Sequence, residues 1–364
     1  MQERRSLIPV FVGIALLTIA VAASAEVPHA GMLRHPDVSA THIAFRYAND
    51  IWTVPREGGV ASPLASPVGG EGHAEFSPDG ETVAFLANYD GNYDIYTIPT
   101  VGGTPFRVTH HPSSERPLGW TPDGDIIFWA FGVGEHPMTA QLFTVPSDGG
   151  LPSKMPVPYG WNASVSDDGE WLAYTPFARD YSTWKRYRGG AAPDIWLFNL
   201  RDHSSRKITD WEGSDTTPMW HGDKVYYVSD AGPAHRLNVW VYDTDTEQSR
   251  QVTKHRDYDV KWASGGPDAI VYQYGSELRL LDLESERSSA VDVRIPGDHM
   301  KARPRLFDTA EELHEGDISA TGKRVVAQAR GDVWTIPAEN GMPRAIVRTD
   351  DSVERIPAWS PDGK

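Results

Sequence analysis

The densest group of side chains able to hold an anion lies in residues 177–192, where Arg179, Lys185, Arg186 and Arg188 alternate with Tyr181, Trp184 and Tyr187. Arginine presents a planar fork of donors that matches a carboxylate or a phosphate. Arg186 and Arg188 are therefore candidate substrate-binding residues. The same side chains can instead brace a neighbouring domain or subunit through cation and aromatic contacts, and the sequence leaves both uses open.

Other chemistries are poorly supplied. No Gly-x-Ser-x-Gly elbow, His-Glu-x-x-His helix, phosphate-binding P-loop or dinucleotide fingerprint occurs. His110 and His111 are adjacent, and neighbours on a strand point to opposite faces, which spoils them as joint metal ligands. Residues 88–94, Asn-Tyr-Asp-Gly-Asn-Tyr-Asp, lack the distal acid of a calcium loop and are expected to form a hairpin turn. No catalytic residue, no metal site and no cofactor is expected.

The elements that would carry these residues repeat. Residues 76–109 run from a Ser-Pro-Asp-Gly turn through a β-branched stretch, Thr82 to Ala87, an Asp90-Gly91 hairpin and the alternating run Tyr93 to Ile98, to a Gly102-Gly103 turn and Arg107-Val108-Thr109. Proline presets φ, aspartate caps its own backbone and glycine accepts the left-handed position, so each cluster turns the chain between short strands. The residue before the first turn recurs at Phe76, Trp120, Val165, Trp220 and Trp262, in steps of 44, 45, 55 and 42 residues. Such steps suit four-stranded propeller blades, the 55-residue step absorbing the basic insertion.

Six copies fill residues 30–297, predicting an all-β, six-bladed β-propeller of four-stranded blades. Ile51, Ile95, Ile195 and Val239 share one blade position and are expected in the core. A seventh copy, with Arg324-Val325-Val326-Ala327 and Asp332-Val333-Trp334, lies in 298–364, and an eighth stops at Pro361-Asp362-Gly363-Lys364. Ending there would leave an unpaired strand edge, so 298–364 is expected to be the truncated beginning of a second propeller in a longer protein.

The chain has 364 residues, no cysteine and a formal charge of -16. No cysteine means no disulfide and no thiolate chemistry. So acidic a chain argues against a nucleic-acid partner, whose binding is driven by Lys and Arg at phosphates. Arg4 and Arg5, the apolar run Leu7 to Ala23 and the small-x-small site Ala23-Ser24-Ala25 form a secretory signal over residues 1–25. Cleavage after Ala25 would give a periplasmic or secreted protein with no membrane association; retention as an anchor is the alternative.

The Ser-Pro-Asp-Gly and Asp-Ile-Tyr repeats resemble those of TolB. Thr183-Trp184-Lys185-Arg186-Tyr187-Arg188-Gly189-Gly190 before Asp194-Ile195-Trp196, with Pro137-Met138-Thr139 before Leu142-Phe143, resemble the N-terminal six-bladed propeller of the tricorn protease family. That resemblance covers about residues 30 to 364. It implies a propeller that gates or guides peptides and supports homo-oligomeric assembly in a serine peptidase that degrades oligopeptides, the second propeller being seven-bladed. Catalytic domains would follow Lys364. The family's arginine pair entering the third blade, taken to hold the substrate C-terminal carboxylate, is represented here by Arg116 alone, beside Glu115. The signal peptide is a departure, since the family is typically cytoplasmic. The alternative function is a TolB-like periplasmic protein-binding scaffold with no enzymatic activity.

Overall fold

The computed structural model describes residues 32–134, 139–178, 180–182, 185–297, 306, 312–347, 349 and 352–363. The signal segment with Ala25, Pro137-Met138 and Thr183-Trp184 lie outside the described residues. The chain divides into two compact units, one up to Asp298 and one from His299. Among the described residues all regular elements are strands, apart from an isolated 3-10 position at Glu312.

The first unit holds six four-stranded antiparallel sheets, five built from consecutive strands and the first interrupted by Gly59–Val60 between its third and fourth strands. The innermost strands of blades 1 to 6 are Arg34–Val38, Glu71–Phe76, Glu115–Trp120, Asn162–Val165, Asp215–His221 and Val260–Gly265. Each packs on the next, and the sixth packs on the first, so the six surround an axis. No blade mixes strands from the two ends of the unit; the return segment Val293–Arg294 instead pairs in parallel with Gly59–Val60 of blade 1. Among the described residues the second unit contains one four-stranded sheet, Leu313–Ile318, Arg324–Ala329, Asp332–Pro337 and Arg344–Val347.

The repeated sequence signs have direct structural work. In blade 2 the Ser77 hydroxyl donates to Asp79 Oδ1 at 2.6 Å and accepts the Thr82 N–H at 2.9 Å, closing the turn around Gly80, whose φ is +72°. Blade 4 repeats this with Ser166, Asp168 and Trp171. The Val-Thr or Ile-Thr sequence that ends a blade serves the third strand. Thr109, Thr209 and Thr253 each accept the N–H of Ile95, Ile195 and Val239, respectively, at 2.9 Å. Those three residues and Ile51 are fully buried, as their shared position predicts.

Register corrects one assignment. Phe76, Trp120, Val165 and Trp220 pair with the first core residues of the second strands, Val83, Ile126, Leu172 and Val225, but in blade 6 that place is held by Gly265, opposite Ile270. Trp262 lies three residues earlier, inside a β-bulge, with φ +51°. An indole matching the aromatic type of Trp120 and Trp220 had masked a shift that only strand pairing reveals.

Blades are also joined by polar contacts near the axis. Asp37 of blade 1 accepts the Phe76 N–H of blade 2 and the Ser264 hydroxyl of blade 6, both at 2.5 Å. Trp120 Nε1 donates to Glu75 O at 3.0 Å, and Trp220 N donates to Ser164 Oγ at 2.9 Å. An acid at the head of an innermost strand holds the preceding blade in turn: Glu71 accepts the Ile51 N–H at 2.8 Å and Asp259 the Leu237 N–H at 3.1 Å.

Candidate functional site

Five of the six innermost strands carry a bulge, and in four the bulge contains a non-glycine residue with positive φ: His35 (46°), His73 (52°), Thr217 (52°) and Trp262 (51°). Such a conformation costs an L-residue on the order of 1–3 kcal/mol. At three of these positions the result is a cluster of rings. The imidazoles of His35 and His73 stack with centroids 3.8 Å apart, and Trp262 meets them edge-on at 4.4 and 5.5 Å. Burial and the neighbouring Arg116 charge push both histidines down, His35 to about 3 and His73 well below the usual imidazole range. Both are neutral at pH 7.

Two residues further along the strands, an axial cavity of about 520 Å³ begins. Turn residues 39–41 and 77–80 contribute to its lining, as do Asp37, Glu75, Arg116, Asn162 and Ser264 from the innermost strands. Burial raises the Asp37 carboxyl to about 6 and the Glu75 carboxyl well above the carboxylate range, the charge of one adding to the effect on the other. Arg116 opposes that effect at Glu75. The lining thus mixes donors, acceptors and one fixed positive charge, a surface suited to a polar chain rather than an apolar ligand.

Arg116 is buried, and its guanidinium lies over Trp262 at 5.3 Å and over Tyr181 at 5.8 Å. Tyr181 belongs to the basic insertion of blade 4, which crosses to the axis. Its hydroxyl shares a 2.8 Å hydrogen bond with His73 Nε2 in blade 2, and its ring lies 5.0 Å from Trp262 in blade 6. Asp180 accepts from Asn162 Nδ2 at 2.9 Å and from the Thr216 hydroxyl at 3.3 Å.

Arg179 lies outside the described residues; Lys185, Arg186 and Arg188 face blades 5 and 6. Lys185 Nζ donates to Asp259 at 2.8 Å, and Arg186 lies 4.0 Å from the same carboxylate. Arg188 donates to Asp230 at 3.0 Å and stacks on Trp211 at 4.9 Å. A second cavity of about 50 Å³ lies beneath, lined in part by Arg186, Asp230 and Asp259. The structure therefore places Arg116 at the axial cavity, and Arg186 and Arg188 outside its lining, beside Asp259 and Asp230. Sequence reasoning missed His35, His73, Trp262 and the reach of Tyr181. A signal existed, since His35, His73 and Trp262 each stand three residues before the end of an innermost strand.

Among the described residues no group of His, Asp and Glu could hold a metal ion. His110 and His111 are exposed loop residues, and residues 88–93 connect the paired strands Thr82–Ala87 and Asp94–Pro99.

Fold and site together define a six-bladed β-propeller with a polar axial cavity. Residues 30–287 match the model of the tricorn protease N-terminal β-propeller domain, and the chain belongs to that family. Tricorn protease homolog 1 of Streptomyces coelicolor is 27% identical over 331 residues, 89% of this chain and 30% of the relative. The tricorn protease homolog of Saccharolobus solfataricus is 24% identical over 312 residues, 84% of this chain and 28% of the relative. The crystal structure of the tricorn protease superposes with a TM-score of 0.68 at 19% identity, covering 87% of this chain and 31% of that one. The chain thus spans less than a third of the length of these relatives.

Proposed function

We propose that this chain is the propeller region of an exported tricorn-like serine peptidase that degrades oligopeptides, and that its axial cavity guides peptides. The observation that carries this is the polar cavity of about 520 Å³ on the axis of a tricorn-family propeller, with Arg116 in its wall. An extended peptide has unpaired N–H and C=O groups along its length, and the mixed lining offers partners for both. Arg116 contacts the peptide there. Arg186 and Arg188 act on affinity through the insertion that bears them, and the propeller also supports homo-oligomeric assembly of the full-length protein. Residues 1–25 direct export and are removed after Ala25.

The test is peptide turnover by the full-length protein. Arg116→Ala is expected to raise KM at least about fivefold, the scale of one lost charge-assisted hydrogen bond. Unchanged kcat and KM for Arg116→Ala, Arg186→Ala and Arg188→Ala together would remove the cavity from the peptide path. Recovery of the exported protein with its amino terminus at residue 26 tests the export reading.

A further inference from the structure

We propose that Arg34, His35 and Arg46 form an oxyanion site that takes a phosphate group. None of the three lines the axial cavity, so the site stands whether or not peptides enter there. Arg34 and Arg46 are direct partners across the first two strands of blade 1, Arg34–Val38 and His42–Tyr47. Opposed residues of an antiparallel pair share a face, and two like charges there repel. Among the described residues neither arginine has an ion pair to relieve that repulsion, and Arg46 donates instead to the neutral Asn49 side chain.

The third member is a ring nitrogen without a partner. His35 is 9% exposed, and its Nδ1 has no hydrogen-bond partner among the described residues. A buried polar nitrogen left unpaired carries a desolvation cost, which a ligand oxygen would remove. The ring is neutral at pH 7, and a neutral imidazole with its proton on Nδ1 donates. Gly72 of blade 2 keeps the approach open. A Cβ there would lie 3.5 Å from His35 Nδ1 and from Arg46 Cδ, and 3.9 Å from Arg46 Nε, so a larger side chain would fill the space between imidazole and guanidinium.

Charge selects the ligand. The chain as a whole carries -16, which repels anions, yet the charges that act on His35 are those of Arg116, Arg46 and Arg34. Arg116 stands one ring away, its guanidinium over Trp262, which meets His35 edge-on. Three positive charges match a dianion better than a single carboxylate. A tetrahedral phosphate also offers separate oxygens to two guanidinium forks and an imidazole N–H.

Isothermal titration of this chain with inorganic phosphate at pH 7 tests the site. Binding should saturate with a Kd at or below about 1 mM, and Arg34→Gln and Arg46→Gln should each weaken it about tenfold, the scale of one charge-assisted hydrogen bond. Both variants relieve the like-charge pair, so neither should lower the unfolding midpoint. Arg201→Gln, which removes an equal charge from the exposed surface of blade 4, should leave binding unchanged. Long-range proton–nitrogen spectra of histidine-labelled protein, with His35 assigned through His35→Asn, should show its Nδ1 signal moving along the same binding curve. Sodium acetate should bind at least about tenfold more weakly. Phosphate that fails to saturate the wild type overturns the site. Saturation that neither arginine variant weakens, or that leaves His35 unmoved, puts the anion elsewhere and overturns it equally, and acetate matching phosphate overturns the choice of a dianion. O-phosphoserine separates two sources: an affinity equal to that of phosphate assigns the site to a phosphoryl group carried on a larger molecule, a clear loss assigns it to the free ion, and both keep the site.

Discussion

Asp215→Asn should make the propeller's stability less sensitive to a rise in pH from about 4 to about 7. Asp215 opens the innermost strand of blade 5, is 1% exposed and takes hydrogen bonds from Ser229 and Thr209, while its Oδ2 has no hydrogen-bond partner among the described residues. Burial pushes its carboxyl from 3.8 up to about 7. Between those values the folded chain holds a proton that the unfolded chain has released. The stability contributed by this group is fully present below pH 3.8 and is lost as pH rises to about 7. At about 1.4 kcal/mol per pH unit, the stretch from pH 5 to pH 7 removes about 3 kcal/mol.

Asparagine keeps the shape and does not titrate. Any fixed cost of the substitution is the same at every pH, so the informative quantity is the difference between variant and wild type. Urea unfolding followed by tryptophan fluorescence at pH 5, 6, 7 and 8 gives that difference by linear extrapolation. It should move in favour of the variant by about 3 kcal/mol between pH 5 and 8. Glu115, likewise pushed up to about 7 by burial, titrates in both proteins and cancels. Parallel stability curves, differing by less than about 0.5 kcal/mol in slope over the range, would refute an ionisation held back by burial.

Other perturbations test the ring and the axial cluster. Gly266→Ala places a Cβ 2.4 Å from Val38 O, between blades 6 and 1, and should destabilise by at least about 2 kcal/mol in a thermal melt. Gly190→Ala, which meets nothing within 4 Å, should be close to neutral. Thr253→Val removes the acceptor of the buried Val239 N–H and should cost about 1–3 kcal/mol; a neutral result would deny these threonines a role in holding the third strand. Arg116→Leu removes a charge that lowers both axial histidines, so imidazole NMR titration should find His35 above its present value of about 3, still short of 6.5 because burial remains.

The blades were legible because their signals are local. Ser77, Asp79 and Gly80 make one turn by bonding within six residues, and Thr109 reaches a strand 14 positions away at a fixed offset that Thr209 and Thr253 repeat. The axial cluster is different. Tyr181 and His73 are 108 positions apart and Ser264 and Asp37 are 227 apart, so no spacing rule connects them. The shift at Trp262 arose for a related reason: side-chain type alone cannot tell a strand end from a bulge three residues before it.

The bulges themselves are not demanded by the ring. Blade 4 closes against its neighbours with an innermost strand, Asn162–Val165, that pairs in regular register and has no residue of positive φ. Four strained residues elsewhere, at roughly 1–3 kcal/mol each, are a large cost for a domain whose whole stability is on the order of 5–15 kcal/mol. What they obtain is position: His35, His73 and Trp262 are turned into one cluster that a regular strand would have dispersed. The blade without a bulge is also the one whose insertion reaches the cluster, so Tyr181 joins from that insertion the rings that other blades supply from their own strands.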